Sequence, residues 1–118
     1  MQLNNKTYNI IELEETGSTN QYLRDILSKS SPVEETVVTT EFQTRGRGQM
    51  GNSWNSEKGK NLLFSILLYP TMVEPSKQFI ISRIISVAIH RVLSQFTDGI
   101  KIKWPNDIYH NNNKIAGI

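Results

Sequence analysis

The order of apolar, β-branched and polar positions along the chain predicts a mixture of strands and helices. Runs of apolar and β-branched residues predict strands over residues 7–14, 36–42 and 62–69. The third run is apolar almost throughout, which is typical of a central strand that is buried on both faces. Residues 100–104 alternate like a further strand, and residues 108–118 predict a β-hairpin.

Two segments carry the periodicity of α-helices. Ser18 stands in the position of an N-cap, with Gln21 three residues later as in a capping box. The apolar residues that follow at helical spacing predict a helix over residues 19–28. Pro75 suits the first turn of a second helix, predicted over residues 75–96. Because apolar residues cover most of the second helix, we expect it to be largely buried.

Composition narrows the class of protein. A length of 118 residues favours one domain, and 13 basic against 11 acidic residues give a net charge of +2, too mild to indicate nucleic acid or membrane as a partner. The absence of cysteine excludes a disulfide framework, a thiol nucleophile and cysteine-based zinc sites. We see no signal peptide and no apolar run of the roughly 20 residues that a membrane span needs. We therefore expect a cytoplasmic protein.

An arginine- and glycine-rich segment between two predicted strands, residues 41–54, is the first candidate for a site. Its glycines allow tight turns, and Arg45 and Arg47 supply forked, permanently charged donors that suit carboxylate or phosphate. An anion clamp and a flexible, solvated basic loop are both consistent with this composition. Trp54 could lie over a flat ligand or pack on the core.

Two further segments combine polar side chains with turn chemistry. Ser18-Thr19-Asn20 could bind a polar ligand beside a helix N-terminus, although ordinary capping accounts for the same residues. In residues 103–107, Asn106 and Asp107 could coordinate Mg²⁺, and Lys114 could pair with a carboxylate or phosphate. On local chemistry alone, a β-turn is the better interpretation of residues 103–107.

Four blocks in this order resemble the hallmark segments of biotin–protein ligases. They are Ser18-Thr19-Asn20, the segment from Gln43 through Gly48, Lys103-Trp104-Pro105-Asn106-Asp107, and Lys114-Ile115-Ala116-Gly117. Each block is a weak signal alone, but all four with similar spacing are a strong one. The resemblance covers nearly the whole chain, from about Tyr8 to Ile118.

The resemblance implies a fold and a reaction. The fold is α+β, a mixed and largely antiparallel sheet backed by helices, as in class II aminoacyl-tRNA synthetases. The family uses ATP to convert biotin to biotinyl-5′-AMP, and then transfers the biotinyl group to a lysine of the biotin carboxyl carrier protein of acetyl-CoA carboxylase. Biotin, ATP and Mg²⁺ are thus the implied substrates and cofactor, and the resemblance leaves a homodimer open.

The resemblance also implies a role for individual residues. Lys114 and Arg47 are the implied catalytic residues, because both are cations that face an anionic intermediate. Lys114 would meet the biotin carboxylate, and Asp107 is the implied Mg²⁺ ligand. The implied nucleotide-binding residues are Trp54, Asn106 and Asp107. The implied biotin-binding residues are Ser18, Thr19, Asn20, Gln43, Gly46, Arg47, Gly48, Gln49 and Lys114.

The chain departs from the family pattern in three respects. Gln49 stands where many members carry a second arginine, so retention of the adenylate is expected to depend on other groups. No helix-turn-helix domain precedes the ligase segment, from which we expect no operator binding. The chain ends just after the lysine block, so we expect a catalytic domain truncated at its C-terminus, without the family's small β domain.

Three other functions compete with biotin ligation. A lipoate–protein ligase or an octanoyl transferase shares the fold, although residues 103–107 and the Arg/Gly segment favour biotin. A nucleic-acid-binding module would use Arg45 and Arg47, but the near-balanced charge argues against it. A truncated fragment that does not catalyse is the third alternative.

Overall fold

The secondary structure follows the sequence pattern in element type and order. The computed structural model describes all 118 residues. The strands and helices in chain order are β1 (Gln2–Leu3), β2 (Lys6–Thr7), β3 (Ile10–Thr16), α1 (Thr19–Leu27), β4 (Val37–Gln43), β5 (Leu63–Ile66), α2 (Phe79–Leu93), β6 (Ile100–Lys103), β7 (Asp107–His110) and β8 (Asn113–Gly117). They divide into two compact units, Met1–Tyr69 and Pro70–Ile118.

The first unit is built on a three-stranded sheet in the order β3-β4-β5. Strands β3 and β4 are parallel, and β4 and β5 are antiparallel with Val38 opposite Ser65. Helix α1 contacts β4 and β5 and contributes Leu23 to a small core with Val38 and Leu67. Because α1 connects two parallel strands, the helix returns the chain across the sheet and places its own first turn beside the C-terminal end of β3.

The prediction that the third apolar run is a central strand is wrong. In the described chain β5 is at the edge of its sheet, and β4 occupies the centre. Leu63, Ser65 and Leu67 are buried, whereas Phe64 and Ile66 are 49% and 39% exposed. One face of β5 is therefore covered and the other is open, an arrangement that a nearly uniform apolar sequence does not reveal.

The second unit is a β-meander with a helix against it. Strands β6, β7 and β8 pair antiparallel in sequence order, and α2 packs against β6 and β7. The predicted hairpin over residues 108–118 is confirmed as β7 and β8, joined by a turn in which Asn111 has φ 54°. The ring of His90 on α2 makes a 3.0 Å hydrogen bond to the carbonyl of Ile100 at the start of β6.

Helix α2 differs from its prediction in length and in burial. A separate 3₁₀ turn occupies Pro75–Lys77, and the α-helix begins only at Phe79. Ser86 is its single buried residue, and Ile84 and Val92 are 58% and 55% exposed. The expectation of a largely buried helix is therefore wrong, because one face packs on the sheet and the opposite apolar face has no covering element among the described residues.

The predicted fold class is confirmed. The pairing is mixed and largely antiparallel, with one parallel pair among five, although the strands form three sheets rather than one. Neither helix combines the length and the hydrophobicity that a transmembrane span requires.

Candidate functional site

Ser18 caps helix α1, as the sequence predicts. Its backbone is extended, and its Oγ accepts a hydrogen bond of 3.3 Å from the backbone N–H of Gln21. The side chain of Gln21 does not complete a capping box, because its Nε2 donates to Asp25 at 3.0 Å along the helix. Ser18 is buried and its hydroxyl oxygen already accepts one bond, so the ordinary capping interpretation is confirmed for this residue.

Thr19 and Gln43 join the start of α1 to the end of β4. The carboxamide oxygen Oε1 of Gln43 accepts from the backbone N–H of Thr19 at 2.9 Å and from its hydroxyl at 3.2 Å. Thr19 is only 3% exposed. Two donors from one residue hold the glutamine oxygen, so the amide nitrogen on its other side keeps its N–H groups for another acceptor.

Ser65 extends this network to β5 and was not among the residues that the sequence predicts. Its Oγ lies 2.8 Å from the hydroxyl of Thr19 and 2.6 Å from the carboxamide of Asn20. It is buried in the sheet face that α1 covers. A signal existed in the sequence, since Ser65 is the one serine in an apolar run, and a buried hydroxyl requires hydrogen-bond partners.

The Arg/Gly segment is folded and tied to its surroundings by backbone hydrogen bonds. The N–H of Arg45 donates to Gly17 at 2.8 Å, and the N–H of Trp54 donates to Gly46 at 2.9 Å. Arg47 and Ser53 form an isolated antiparallel bridge. These contacts favour a shaped binding loop over the alternative of a flexible, solvated basic segment.

Gly46 is the position in this loop where a side chain has no space. A Cβ there would lie 2.3 Å from the carbonyl oxygen of Trp54 and 3.0 Å from Nε2 of Gln43. At Gly48 the nearest heavy atom would be 3.4 Å away, which is an ordinary contact. The glycine requirement at Gly46 thus comes from close packing of the loop against itself and against the donor end of Gln43.

A cleft of about 260 Å³ lies between the helix start and the loop. Its lining brings together Ser18 and Arg47, two of the predicted residues, and adds a second guanidinium from Arg45. The complete lining is Thr16, Gly17, Ser18, Gln21, Tyr22, Asp25, Arg45 and Arg47. With two arginines against one aspartate, this cleft is suited to an anionic or polar ligand.

A larger cavity of about 440 Å³ on the same unit has the opposite chemistry. Its walls include Glu12, Glu14 and Glu41, and none of the predicted site residues lines it. Carboxylates repel the anions that the predicted ligands carry. We therefore place the candidate site at the smaller, arginine-lined cleft and at the adjoining start of α1. Thr19, Asn20 and Gln43 do not line the cleft itself.

In the second unit, Lys114 and Asp107 form an ion pair. Nζ of Lys114 on β8 lies 2.9 Å from Oδ1 of Asp107 on β7, and both side chains are partly exposed. Asn106 is buried and donates from Nδ2 to the carbonyl of Ile118. The turn interpretation is confirmed, since residues 104–106 connect β6 to β7 and Asp107 is the first residue of β7.

No group of three or more histidine, aspartate or glutamate side chains in the structure is arranged to hold a metal ion. Mg²⁺ at nucleotide sites is usually bound by one or two carboxylates, with phosphates and water as its other ligands. The single carboxylate of Asp107 fits that role.

Comparison with known proteins gives a consistent result. The model of the biotin/lipoate A/B protein ligase family matches residues 13–118. The bifunctional ligase/repressor BirA of Salmonella typhimurium is 34% identical over 111 residues, which is 93% of this chain and 34% of that protein. The chain spans about a third of the length of the first curated relatives that it matches.

Solved structures agree with the fold. The biotin protein ligase of Leishmania major in complex with biotin superposes with a TM-score of 0.78 at 27% identity, covering 92% of this chain and 49% of that one. The biotin protein ligase of Aquifex aeolicus in complex with biotin and ATP has a TM-score of 0.76 at 32% identity, covering 92% and 44%.

Proposed function

Because this chain belongs to the biotin/lipoate A/B protein ligase family, we propose that the protein is a biotin–protein ligase. It activates biotin with ATP to biotinyl-5′-AMP, releasing pyrophosphate, and then transfers the biotinyl group to a lysine, releasing AMP. The proposed acceptor is the biotin carboxyl carrier protein of acetyl-CoA carboxylase. Similarity to proteins named as biotin ligases, including two solved with biotin bound, supports this proposal.

The observation that carries the proposal is the hydrogen-bond arrangement of Thr19 and Gln43. Because the glutamine oxygen is held by Thr19, its N–H groups face a different partner. The ureido ring of biotin combines a carbonyl acceptor with N–H donors. The N–H donors of Gln43 are complementary to that carbonyl. Because Thr19 already fixes the orientation of this side chain, ligand binding does not incur the entropy cost of ordering it.

The Arg/Gly loop supplies the second part of the proposal. Gly46, Arg47, Gly48 and Gln49 are proposed to bind biotin and to shield the adenylate. The mixed anhydride in biotinyl-5′-AMP reacts readily with water, so the loop has to exclude solvent until the acceptor lysine arrives. Arg47 supplies positive charge at the arginine-lined cleft while the carboxylate and the phosphate approach each other.

The second unit supplies cationic and nucleotide-binding groups. Lys114 is proposed to neutralise the biotin carboxylate and then the acyl phosphate. Its ion pair with Asp107 holds the ammonium group in one place before substrate binds. Asn106 of this unit is proposed to contact the nucleotide, as is Trp54 of the first unit. Mg²⁺ bound to ATP supplies charge neutralisation at the phosphates, and Asp107 is the residue that would hold it.

Lipoate ligation is the alternative within the same family, which is named for both biotin and lipoate. The dithiolane ring of lipoate has neither the carbonyl nor the N–H groups of biotin. The fixed donor end of Gln43 would remain unpaired against such a ring, which costs free energy when the group is buried. The polar network of the first unit thus favours biotin.

The test is calorimetric titration of the 118-residue chain with biotin, and then with biotin and Mg-ATP. Saturable binding of biotin, with lipoate inert, is the expected result. If a folded sample gives no heat, the same titration on the whole protein separates an incomplete pocket from a wrong assignment. Binding of lipoate in preference to biotin by the whole protein would overturn the proposal.

Arg47→Ala provides a kinetic test of the loop. We expect biotin-dependent pyrophosphate exchange by the whole protein to fall at least about tenfold, because the variant removes a cation from the developing anionic centre. Arg24→Ala removes the same positive charge from the exposed surface of α1, so it is the matched control and should leave exchange unchanged. Wild-type exchange in Arg47→Ala would contradict the role of this residue.

A further inference from the structure

Arg45 carries a guanidinium group that the proposed chemistry does not use. Its backbone is fixed, because its N–H donates to the carbonyl of Gly17 at 2.8 Å and continues the ladder between β3 and β4. The side chain lies across Gly17, with Nη2, Nε and Cζ at 3.2, 3.3 and 3.7 Å from the position that a Cβ of Gly17 would take. A side chain at position 17 would displace the guanidinium, so Gly17 is the seat of Arg45.

The arginines of the cleft have no anionic partner within the chain. Neither Arg45 nor Arg47 takes part in an ion pair of the structure. The one carboxylate that lines the cleft, Asp25, accepts a hydrogen bond from the amide of Gln21 at 3.0 Å instead. Two guanidinium groups that share a cleft repel each other unless an anion joins them. The charge of the cleft therefore suits an anionic group from a second molecule.

The exposure of Arg45 indicates what kind of molecule brings that anion. Its neighbour Gly46 is buried against the donor end of Gln43, whereas Arg45 is exposed, so Arg45 lies at the outer rim of the proposed site. The cleft that it lines continues along α1 to Tyr22 and Asp25, beyond the first turn of the helix. A charge at the rim of a site contacts the protein that covers the site rather than a ligand enclosed within it.

Transfer of the biotinyl group requires a second protein to cover this site. The target lysine of the acceptor has to reach an adenylate beneath the Arg/Gly loop, so the acceptor surface around that lysine meets the rim. We propose that Arg45, held on Gly17, binds an acidic side chain that lies beside the target lysine of the acceptor protein. This docking role rests on the proposed function and belongs to its second step, the transfer to lysine.

The seat on Gly17 strengthens such a contact. Surface ion pairs are ordinarily weak because a flexible side chain loses entropy when it is held in one geometry. Arg45 is already confined by its seat and by its paired backbone, so a partner has less disorder to remove. The planar guanidinium can then offer two parallel N–H groups to one carboxylate.

The test is the rate of biotin transfer by the whole protein as a function of acceptor concentration. For Arg45→Glu we expect the KM for the acceptor to rise about tenfold at low salt and kcat to change less than about twofold, because repulsion replaces attraction at the rim. The rise should shrink at about 0.15 M salt, where the screening length is about 8 Å. Arg24→Glu makes the same charge change on α1 outside the cleft and is the matched control. An unchanged KM in Arg45→Glu, or an equal rise in Arg24→Glu, overturns the proposal.

Gly17→Ala moves the guanidinium without changing the charge. The added Cβ would lie 3.2 Å from Nη2 of Arg45, the far end of a flexible side chain that can move aside, so the protein should fold normally. We expect the KM for the acceptor to rise about two- to threefold, as for a weakened surface ion pair. In an Arg45→Ala background the same substitution should have no further effect, because it acts through Arg45. Additive effects would rule out Gly17 as the seat of the docking residue.

Pyrophosphate exchange separates docking from a role of Arg45 at the reacting centre, because exchange needs biotin and ATP but no acceptor. Parallel losses of exchange and of transfer in Arg45→Glu would contradict docking. The partner is identified by charge exchange, in which the acidic residues beside the target lysine of the acceptor are changed to lysine one at a time. One of these changes should restore the KM with Arg45→Glu and raise it with the wild-type protein. If none restores it, Arg45 does not bind an acidic side chain of the acceptor.

Two further measurements separate docking from folding and from the proposed function. Thermal unfolding shows whether Arg45→Glu is folded. If it is not, Arg45→Gln removes the charge with a smaller perturbation and should raise the KM for the acceptor about two- to fivefold. Absence of transfer by the wild-type protein would overturn the proposed function itself. Normal wild-type transfer, with an unchanged KM in the folded Arg45 variants, would overturn only the docking role.

Discussion

The two units hold their polar side chains in different ways. In the first unit, neutral groups from α1, β4 and β5 form a buried network in which Thr19 is 3% exposed. In the second, Lys114 and Asp107 form an ion pair across neighbouring strands of one hairpin, and both keep access to solvent. Buried neutral groups with fixed polarity are suited to recognising a ligand. Accessible charges are suited to neutralising a reacting anion.

The largest effect we expect is in the second unit, from Lys114→Ala. Loss of a cation that neutralises developing charge should lower biotin-dependent pyrophosphate exchange about 100-fold. Lys101→Ala on strand β6 of the same sheet removes an exposed lysine of the same charge and should leave exchange unchanged. Thermal unfolding of both variants checks that loss of the ion pair with Asp107 has not unfolded the unit. If folded Lys114→Ala keeps the wild-type rate of exchange, Lys114 does not neutralise the reacting anion, and the role proposed for the second unit is wrong.

The next effect is in the first unit, from Gly46→Ala. The added Cβ would meet the carbonyl of Trp54 at 2.3 Å and Nε2 of Gln43 at 3.0 Å, so the loop or the glutamine has to move. Overpacking of this kind costs about 1–3 kcal/mol, so we expect the affinity for biotin to fall about tenfold or more in titration calorimetry. Gly48→Ala, with its nearest neighbour at 3.4 Å, should have a clearly smaller effect. Equal losses in the two variants would show that close packing at Gly46 is not what matters.

The sequence predicted α1 well because its start is encoded locally. Ser18 provides the cap, and the hydrogen bond to the backbone of Gln21 is formed as expected. The predicted strands over residues 36–42 and 100–104 likewise agree with β4 and β6 to within about one residue. Capping, turns and β-branched runs act within a few residues, so sequence alone is sufficient for them.

Burial was harder to predict because it depends on which elements meet. The apolar residues of α2 cover most of its circumference, yet Ile84 and Val92 are more than half exposed. The run containing β5 gave no sign that one of its faces is open. Hydrophobic periodicity and composition indicate which residues of a segment could be buried. The order of the strands in the sheet decides which of them are buried.

The sequence named candidate site residues, but it did not reveal the hydrogen bonds between them. Motif resemblance identified Thr19, Asn20 and Gln43, and the structure joins them through hydrogen bonds. Ser65 connects them across 45 positions of sequence, and no local pattern indicates such a contact. Arg45 was noted only as a charge, but it also lines the cleft beside Arg47. Long-range hydrogen bonds of this kind follow from the fold rather than from a motif.

A smaller effect should come from restoring a charge in the Arg/Gly loop. The resemblance to biotin–protein ligases implies an arginine at the position of Gln49, and the proposed adenylate is anionic. Gln49→Arg should slow release of biotinyl-5′-AMP in the absence of acceptor by about twofold to fivefold, as expected for one solvent-accessible ion pair. The measurement is the appearance of free adenylate after rapid separation from the protein. Gln49→Leu adds no charge and should not slow release; an equal slowing in both would exclude an electrostatic cause.

The smallest effect concerns a second ion pair, Lys6 with Glu35 in the first unit, which has no place in the proposed chemistry. The hydrogen bond with Glu35 raises the pKa of Lys6 above its ordinary 10.5, outweighing desolvation, and the negative charge of Glu35 adds to the rise. A raised lysine pKa means that the folded state holds the proton more tightly. Whatever stability this solvent-screened pair contributes is therefore present below about pH 10 and is lost as pH rises through the raised pKa.

Both partners of the Lys6 pair are substantially solvent-accessible, so salt screens their attraction. We expect Lys6→Met to leave the midpoint of thermal unfolding at pH 7 and the rate of pyrophosphate exchange unchanged within error. Lys114→Ala should change exchange far more than it changes the unfolding midpoint. A marked drop in the unfolding midpoint for Lys6→Met, abolished by high salt, would show that this surface pair contributes to stability. It would also show that accessibility alone does not separate the charges that act in catalysis from those that act in folding.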